Sequence, residues 1–153
     1  MGVILSFTKV TGELLGKLVA ARAEAGDEVW DIERAKGDPS GYLDKSWDGL
    51  RYLLEAAESR VNLFYDGDLI VDEYYAWSPD LVRTTAERLS ATPFTALAAH
   101  HDPAAMDAAN VYPGIWTRDG DEGLGYLRYH YDVLVTFFRD AAKTGSAAIM
   151  HFG

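Results

Sequence analysis

The stretch DEGLGYLRYHYDVLVTFFRDAAK, residues 121–143, with TGSAAIMHFG, residues 144–153, behind it, decides the architecture. Leu124, Leu127, Tyr131, Leu134, Val135 and Phe138 recur at helical spacing and form one apolar stripe. Tyr126, His130, Val133 and Phe137 form a second stripe beside it. Gly125, Arg128, Tyr129, Asp132, Thr136, Arg139, Asp140 and Lys143 are left to trace a solvent face. An apolar arc that wide exceeds what a simple surface helix needs, so this helix is expected to pack on more than one side. Gly145 ends it, and Ser146–Phe152 reads as a final strand.

Working outward, Gly2–Val10 reads as a first strand, and Thr11 supplies a capping hydroxyl for the helix carrying Leu14, Leu15, Leu18, Val19 and Arg22. Gly26 is expected to stop that helix. EVWDIERA, residues 28–35, fits a short strand or part of a helix, and GDPSG, residues 37–41, reads as a loop. Asp44 is expected to open a helix on which Trp47, Leu50, Leu54 and Ala57 share a face. VNLFYDGDLIVDEYYAW, residues 61–77, predicts a hairpin turning at Asp66-Gly67, with an irregular loop around Asp66 and Asp68 as the alternative. Ser78-Pro79, Thr92-Pro93 and Asp102-Pro103 each have the chemistry of a helix start, the last two opening short helices. Strands at both ends with helices between them predict one α/β domain over residues 1–153, a sheet layered with helices.

Composition narrows the function classes. The chain has 153 residues, 48% hydrophobic and 12% aromatic, which is globular rather than disordered. Its 24 acidic side chains against 14 basic ones leave a formal charge of -10, which repels phosphate backbones; no basic cluster offsets this, so nucleic acid is not an expected partner. There are no cysteines, which removes disulfides, thiol nucleophiles and thiolate metal sites and points to a cytoplasmic protein. The opening MGVILSFTKV has no basic leader, and no segment is long enough for a membrane span. Met1, Gly2 and Ser6 satisfy the myristoylation pattern in form, yet Val3, Ile4, Leu5 and Phe7 read as a buried strand, and no lipid is expected.

No cofactor motif is present. Gly12, Gly16 and Lys17 imitate a phosphate loop, but the glycines are too close and Leu18 stands where magnesium needs a hydroxyl. Asp119-Gly120-Asp121-Glu122-Gly123 lacks the alternating ligands of a calcium loop and places carboxylates at a helix N-terminus instead. His100 and His101 are adjacent and diverge on a helix, so no metal site is expected there. His130 reads as a buried, hydrogen-bonded histidine and His151 as a strand residue.

Two segments set polar groups beside large aromatics: Asp44-Lys45-Ser46-Trp47-Asp48 and Asn110-Val111-Tyr112-Pro113-Gly114-Ile115-Trp116. Read structurally, they are a helix start anchored by tryptophan and a Pro-Gly turn held by packing. Read functionally, Asp44, Lys45, Trp47, Asp48, Tyr112, Trp116 and His130 line a shared cleft for a polar or cationic ligand.

These blocks also carry a resemblance. Met1-Gly2-Val3-Ile4, Leu43–Leu50 and Met106–Trp116, in this order and followed by a long helix and a last strand, resemble the YfbM-like family. The resemblance implies a bacterial domain of unknown function with helices covering a mixed sheet, and it brings no substrate, cofactor or catalytic residue. The stretch Asn62–Glu73 departs most from the family pattern. Two functions follow as expectations. One is an acidic binding or protein-interaction domain, for instance one that neutralises a basic protein partner. The other is a small enzyme or metabolite-binding protein whose cleft, lined by the two segments, takes a small polar ligand.

Overall fold

The computed structural model describes residues 2–35 and 41–153. Five strands form one sheet: β1 (Leu5–Val10), β2 (Gly41–Tyr42), β3 (Asp68–Val71), β4 (Tyr74–Trp77) and β5 (Ala147–Phe152), in the spatial order β2-β1-β5-β4-β3. The two strands nearest the ends of the chain are therefore neighbours, and β5 bridges β1–β2 to the β3–β4 hairpin. Each pairing is antiparallel, where the family resemblance implied a mixed sheet. The reason lies in the register: Trp77 pairs with Ala148, so the helical excursion between β4 and β5 returns the chain to the end at which β4 finished.

Among the described residues eight α-helices join the strands: α1 (Gly12–Ala21), α2 (Gly26–Ala35), α3 (Trp47–Ala56), α4 (Pro79–Ser90), α5 (Phe94–Ala98), α6 (Pro103–Ala108), α7 (Trp116–Asp119) and α8 (Asp121–Lys143). Strand alternation sorts the core into two layers. On one face Val10, Ala147, Ile149, Tyr74, Ala76 and Ile70 pack with Leu15, Leu18, Ala25 and Val29 of α1, α2 and the 3-10 turn Arg22–Ala25 between them. On the other, Leu5, Phe7, Trp77, Ala148 and Met150 meet α3, α4 and α8 in the larger core. Phe7 is its hub, touching Trp77 and Phe138 edge-on at 5.2 and 5.0 Å, contacts worth about 0.5–1.5 kcal/mol each beyond burial.

The long helix spans the expected residues. Leu127, His130, Tyr131, Leu134, Phe137, Phe138 and Ala141 are buried, while Tyr126, Val133, Leu124 and Val135 are half-buried flanks. Tyr131 donates its hydroxyl to the Thr92 carbonyl at 2.6 Å, tying α8 to the end of α4. Thr11, Ser78 and Asp102 cap α1, α4 and α6 through side-chain bonds from Leu14, Leu81 and Ala105 N–H groups.

Several local expectations are corrected. Gly26 does not stop α1: its φ of -52° is helical and it begins α2, while the break falls at Arg22 with φ 45°. Residues 28–35 are helical, and the predicted loop lies outside the described residues apart from Gly41. Asp44 sits in a left-handed turn with φ 51°, and α3 starts three residues later, at Trp47. Thr92 does not cap α5, because its hydroxyl donates to the Arg88 carbonyl. The hairpin turns at Asp72-Glu73, which leaves Asn62–Gly67 as the irregular loop of the alternative reading.

Edge strand β3 exposes half of Leu69 (51%), and its open backbone is guarded. Arg22 Nη1 donates to the Leu69 carbonyl at 2.9 Å, so a side chain occupies an acceptor that another strand would seek.

Candidate functional site

The sequence-read candidates fall into three groups. In the first, α3 begins where the chain leaves β2. Leu43 N–H bonds to the Leu5 carbonyl at 2.9 Å, and the Ser46 hydroxyl donates back to the Leu43 carbonyl at 2.6 Å, which turns Trp47 and Asp48 toward the Tyr112 loop. Asp48 Oδ2 accepts the Tyr112 N–H at 2.8 Å, and Oδ1 faces Arg51 Nε at 2.5 Å. The Trp47 and Tyr112 rings stack at 5.3 Å. Both also bind the N-terminal segment: Trp47 Nε1 donates to the Val3 carbonyl at 2.8 Å, and Val3 N–H donates to the Tyr112 hydroxyl at 2.9 Å. The two segments thus converge, but around Val3. Asp48 is 8% exposed with both oxygens engaged, so its carboxylate cross-braces two loops.

The second group surrounds Asp44. Tyr126 donates its hydroxyl to Oδ2 at 2.8 Å and accepts the Lys45 N–H at 3.1 Å, while Tyr42 donates to Oδ1 at 3.5 Å. The Lys45 side chain lies across Gly2. Burial first, then the neighbouring Asp44 carboxylate, raises the pKa of both tyrosine hydroxyls, so they serve as donors. His130 lies under this group, 7% exposed, with its ring edge-on to Tyr126 at 4.8 Å. Burial lowers its imidazole pKa, opposed by a backbone hydrogen bond with Tyr42 and by the Asp44 charge. Its Nδ1 has no hydrogen-bond partner among the described residues.

Trp116, the third, is fully buried behind the first group. It donates Nε1 to the Val111 carbonyl at 2.8 Å and lies against Gly49, where an added Cβ would come within 2.7 Å of its ring. The Asp107 carboxylate, unmarked in the sequence reading, holds this turn by accepting from Thr117 Oγ1 at 2.5 Å and from the Trp116 and Thr117 N–H groups. Those hydrogen bonds, led by Thr117, lower its pKa.

The open surface lies next door. Phe64, Tyr65, Tyr75, Met150 and Phe152 line a groove of about 370 Å³ on the sheet face of the larger core. It continues an aromatic chain: Tyr112 meets Trp47, Trp47 meets Phe64 at 5.2 Å and Phe152 at 4.8 Å, and Phe64 meets Tyr65 at 6.4 Å. Asn62 and Asp66 build the loop that presents it. Asn62 Oδ1 accepts the Phe64 and Tyr65 N–H groups at 2.9 and 3.1 Å, and Asp66 Oδ2 accepts the Asn62 N–H at 2.8 Å. Tyr65 is thereby held 83% exposed. Beyond the same loop a second groove, of about 550 Å³, is lined by Glu55, Glu58, Arg60 and Asn62 among others.

The sequence reading missed this groove because it assigned Phe64 and Tyr65 to a strand. The available signal was the Asn62…Asp66 spacing, which favours side-chain-to-backbone turns. Among the described residues, no set of three or more His, Asp or Glu side chains gathers to hold a metal ion. Nor is any described helix long and apolar enough to cross a membrane.

An antiparallel five-stranded sheet with helices on both faces, and a long helix delivering the strand that joins its halves, defines the class of protein. The family model described as Domain of unknown function (DUF1877) matches residues 1–151, and the chain belongs to that family. Among solved structures it is similar to a protein of unknown function, YfbM from Escherichia coli, with 16% identity, a TM-score of 0.72 and coverage of 98% of this chain and 99% of that one. At that identity the likeness bears on the fold alone. No curated protein matches the chain.

Proposed function

We propose that this protein is a binding module that captures a basic polypeptide segment at the Phe64–Tyr65–Tyr75–Phe152 groove. The observation that carries this reading is the charge of the segment that builds most of the groove. From Val61 to Trp77 the chain holds Asp66, Asp68, Asp72 and Glu73 and no Lys, Arg or His, while Asp80 beyond it is paired with Arg83 at 2.9 Å. Aromatic rings on a segment rich in carboxylates favour a ligand with both an apolar body and positive charge. The overall charge of -10 extends that attraction, which salt screens over a Debye length of about 8 Å at physiological strength. The lack of cysteine agrees with a cytoplasmic setting.

The enzyme reading of the DKSWD and NVYPGIW cleft has less support. Asp48 is committed to Arg51 and Tyr112, and Trp116 is sealed in the core.

The test is a nitrogen-edited NMR titration of the protein with short unstructured peptides of opposite charge, at low and high salt. Basic peptides should shift Phe64, Tyr65, Tyr75 and Phe152 and weaken as salt rises. Equal shifts from the acidic peptides, or shifts confined to other surfaces, would refute the reading.

A further inference from the structure

Resting on that reading, we infer that the groove is an arginine seat: a guanidinium of the basic segment lies flat against its aromatic rings. Phe64, Tyr65, Tyr75 and Phe152 line the groove with aromatic rings, Met150 adds a polarizable thioether, and no charged side chain is among the lining residues. Such walls discriminate between the two common cations. A lysine ammonium is a strongly hydrated point charge, and ring faces return little to it for lost water. A guanidinium is planar and weakly hydrated, so it stacks on a ring while its edge N–H groups point outward to acceptors.

The geometry suits a plate rather than a point. Phe64 stands at 87° to Phe152 and at 65° to Tyr65, so the rings form a corner with a wall and a floor. The acceptors are close in sequence, since Asp66 and Asp68 follow Tyr65 on the loop that carries it. The same fold already holds one guanidinium over an aromatic ring: Arg128 Cζ lies 5.0 Å from the centroid of the Phe94 ring. A second copy of the chain is a poor occupant, because it would bring the same carboxylates, Asp66, Asp68, Asp72 and Glu73, against their own kind.

Three Gly/Ser peptides of one length test the inference, bearing paired arginines, paired lysines or paired citrullines. Citrulline keeps the planar shape without charge, and lysine keeps the charge without the plane. The arginine peptide should shift Tyr65, Tyr75, Met150 and Phe152 and bind at least about fivefold more tightly than the lysine peptide. The citrulline peptide should bind more weakly still. Tyr65→Ala, at a side chain too exposed to hold the fold, should abolish the arginine preference, and Tyr65→Phe should keep it. Equal binding of arginine and lysine peptides at the groove would overturn the arginine seat and leave the basic-partner reading standing. Citrulline binding as well as arginine, or no groove shifts from any peptide, would overturn both. Groove resonances that move with protein concentration alone would assign the surface to a second copy and also overturn both.

Discussion

Asp48 is the residue that most resembles a catalytic carboxylate in the sequence, and its replacement separates a brace from a site. Its side chain keeps 12% of its surface exposed and that of Arg51 25%. Asp48→Ala removes a charge-assisted bond to the Tyr112 N–H, worth about 1.5–3 kcal/mol when the donor is left without a partner. It also removes the Arg51 pair, worth about 1 kcal/mol or less, because Arg51 retains Glu55 at 3.4 Å and some solvent. The expected total is about 2–4 kcal/mol. At about 2–4 °C per kcal/mol for a chain of this size, the melting temperature should fall by roughly 5–15 °C. With a urea dependence near 2 kcal/mol per molar, the midpoint should fall by about 1–2 M. Asp48→Asn, which keeps one acceptor, should lie between wild type and Asp48→Ala. Urea unfolding followed by tryptophan fluorescence reads the brace directly, since the Trp47 ring stacks on Tyr112. An Asp48→Ala protein within about 0.5 kcal/mol of wild type would refute the reasoning and return Asp48 to the pool of functional carboxylates.

Two further outcomes follow from side chains already placed. His130 has its pKa lowered from the ordinary 6.5 by burial, so the folded state favours the neutral ring and binds fewer protons than the unfolded chain below that value. Its contribution is complete above about pH 6.5 and declines as the pH falls toward the folded value; the stability gap between wild type and His130→Gln should shrink from about pH 7.5 to about pH 5, and a gap that widens in acid would contradict the assignment. Gly49→Ala and Gly125→Ala should have opposite signs in thermal melts. The first drives a Cβ to within 2.7 Å of Trp116 and Leu127, while the second meets nothing within 4 Å and should gain up to about 1 kcal/mol of helix propensity.

Much of the fold was legible because its longest signals are periodic. The α8 stripe, the caps at Thr11 and Ser78 and the terminal strands each follow from spacing that tertiary contacts did not override, whereas the Thr92 hydroxyl turned to the Arg88 carbonyl instead. What failed were punctuation marks with more than one meaning. Gly26 can stop a helix or begin one, and the break moved to Arg22, whose guanidinium reaches the edge strand. Asp66-Gly67 has turn chemistry, but the Asn62–Asp66 bonds spend it on a loop, and the hairpin turns at Asp72-Glu73. The seven named residues were visible as polar groups beside aromatics, yet linear spacing says nothing of the third partner. Val3 joins Trp47 to Tyr112, and that contact spans 109 positions of chain. The groove was hidden for the same reason, since Phe64 and Phe152 become neighbours only after the sheet closes.

The placement of β5 governs how this molecule can be made. With the order β2-β1-β5-β4-β3, the segment Ala147–Phe152 is the keystone: without it the sheet is two separate pairs, and Phe7 loses Met150 as its cross-strand neighbour. Until that segment is in place the β1–β2 and β3–β4 pairs have no strand between them on which to dock, so closing the sheet is a long-range step rather than a local one. A stop codon ahead of Ala147 should leave chains that collapse without closing, and these would be prey for proteases. A linker from Gly153 to Gly2 should be well tolerated, because Ile4 and Gly153 already exchange backbone hydrogen bonds at 3.1 and 3.0 Å.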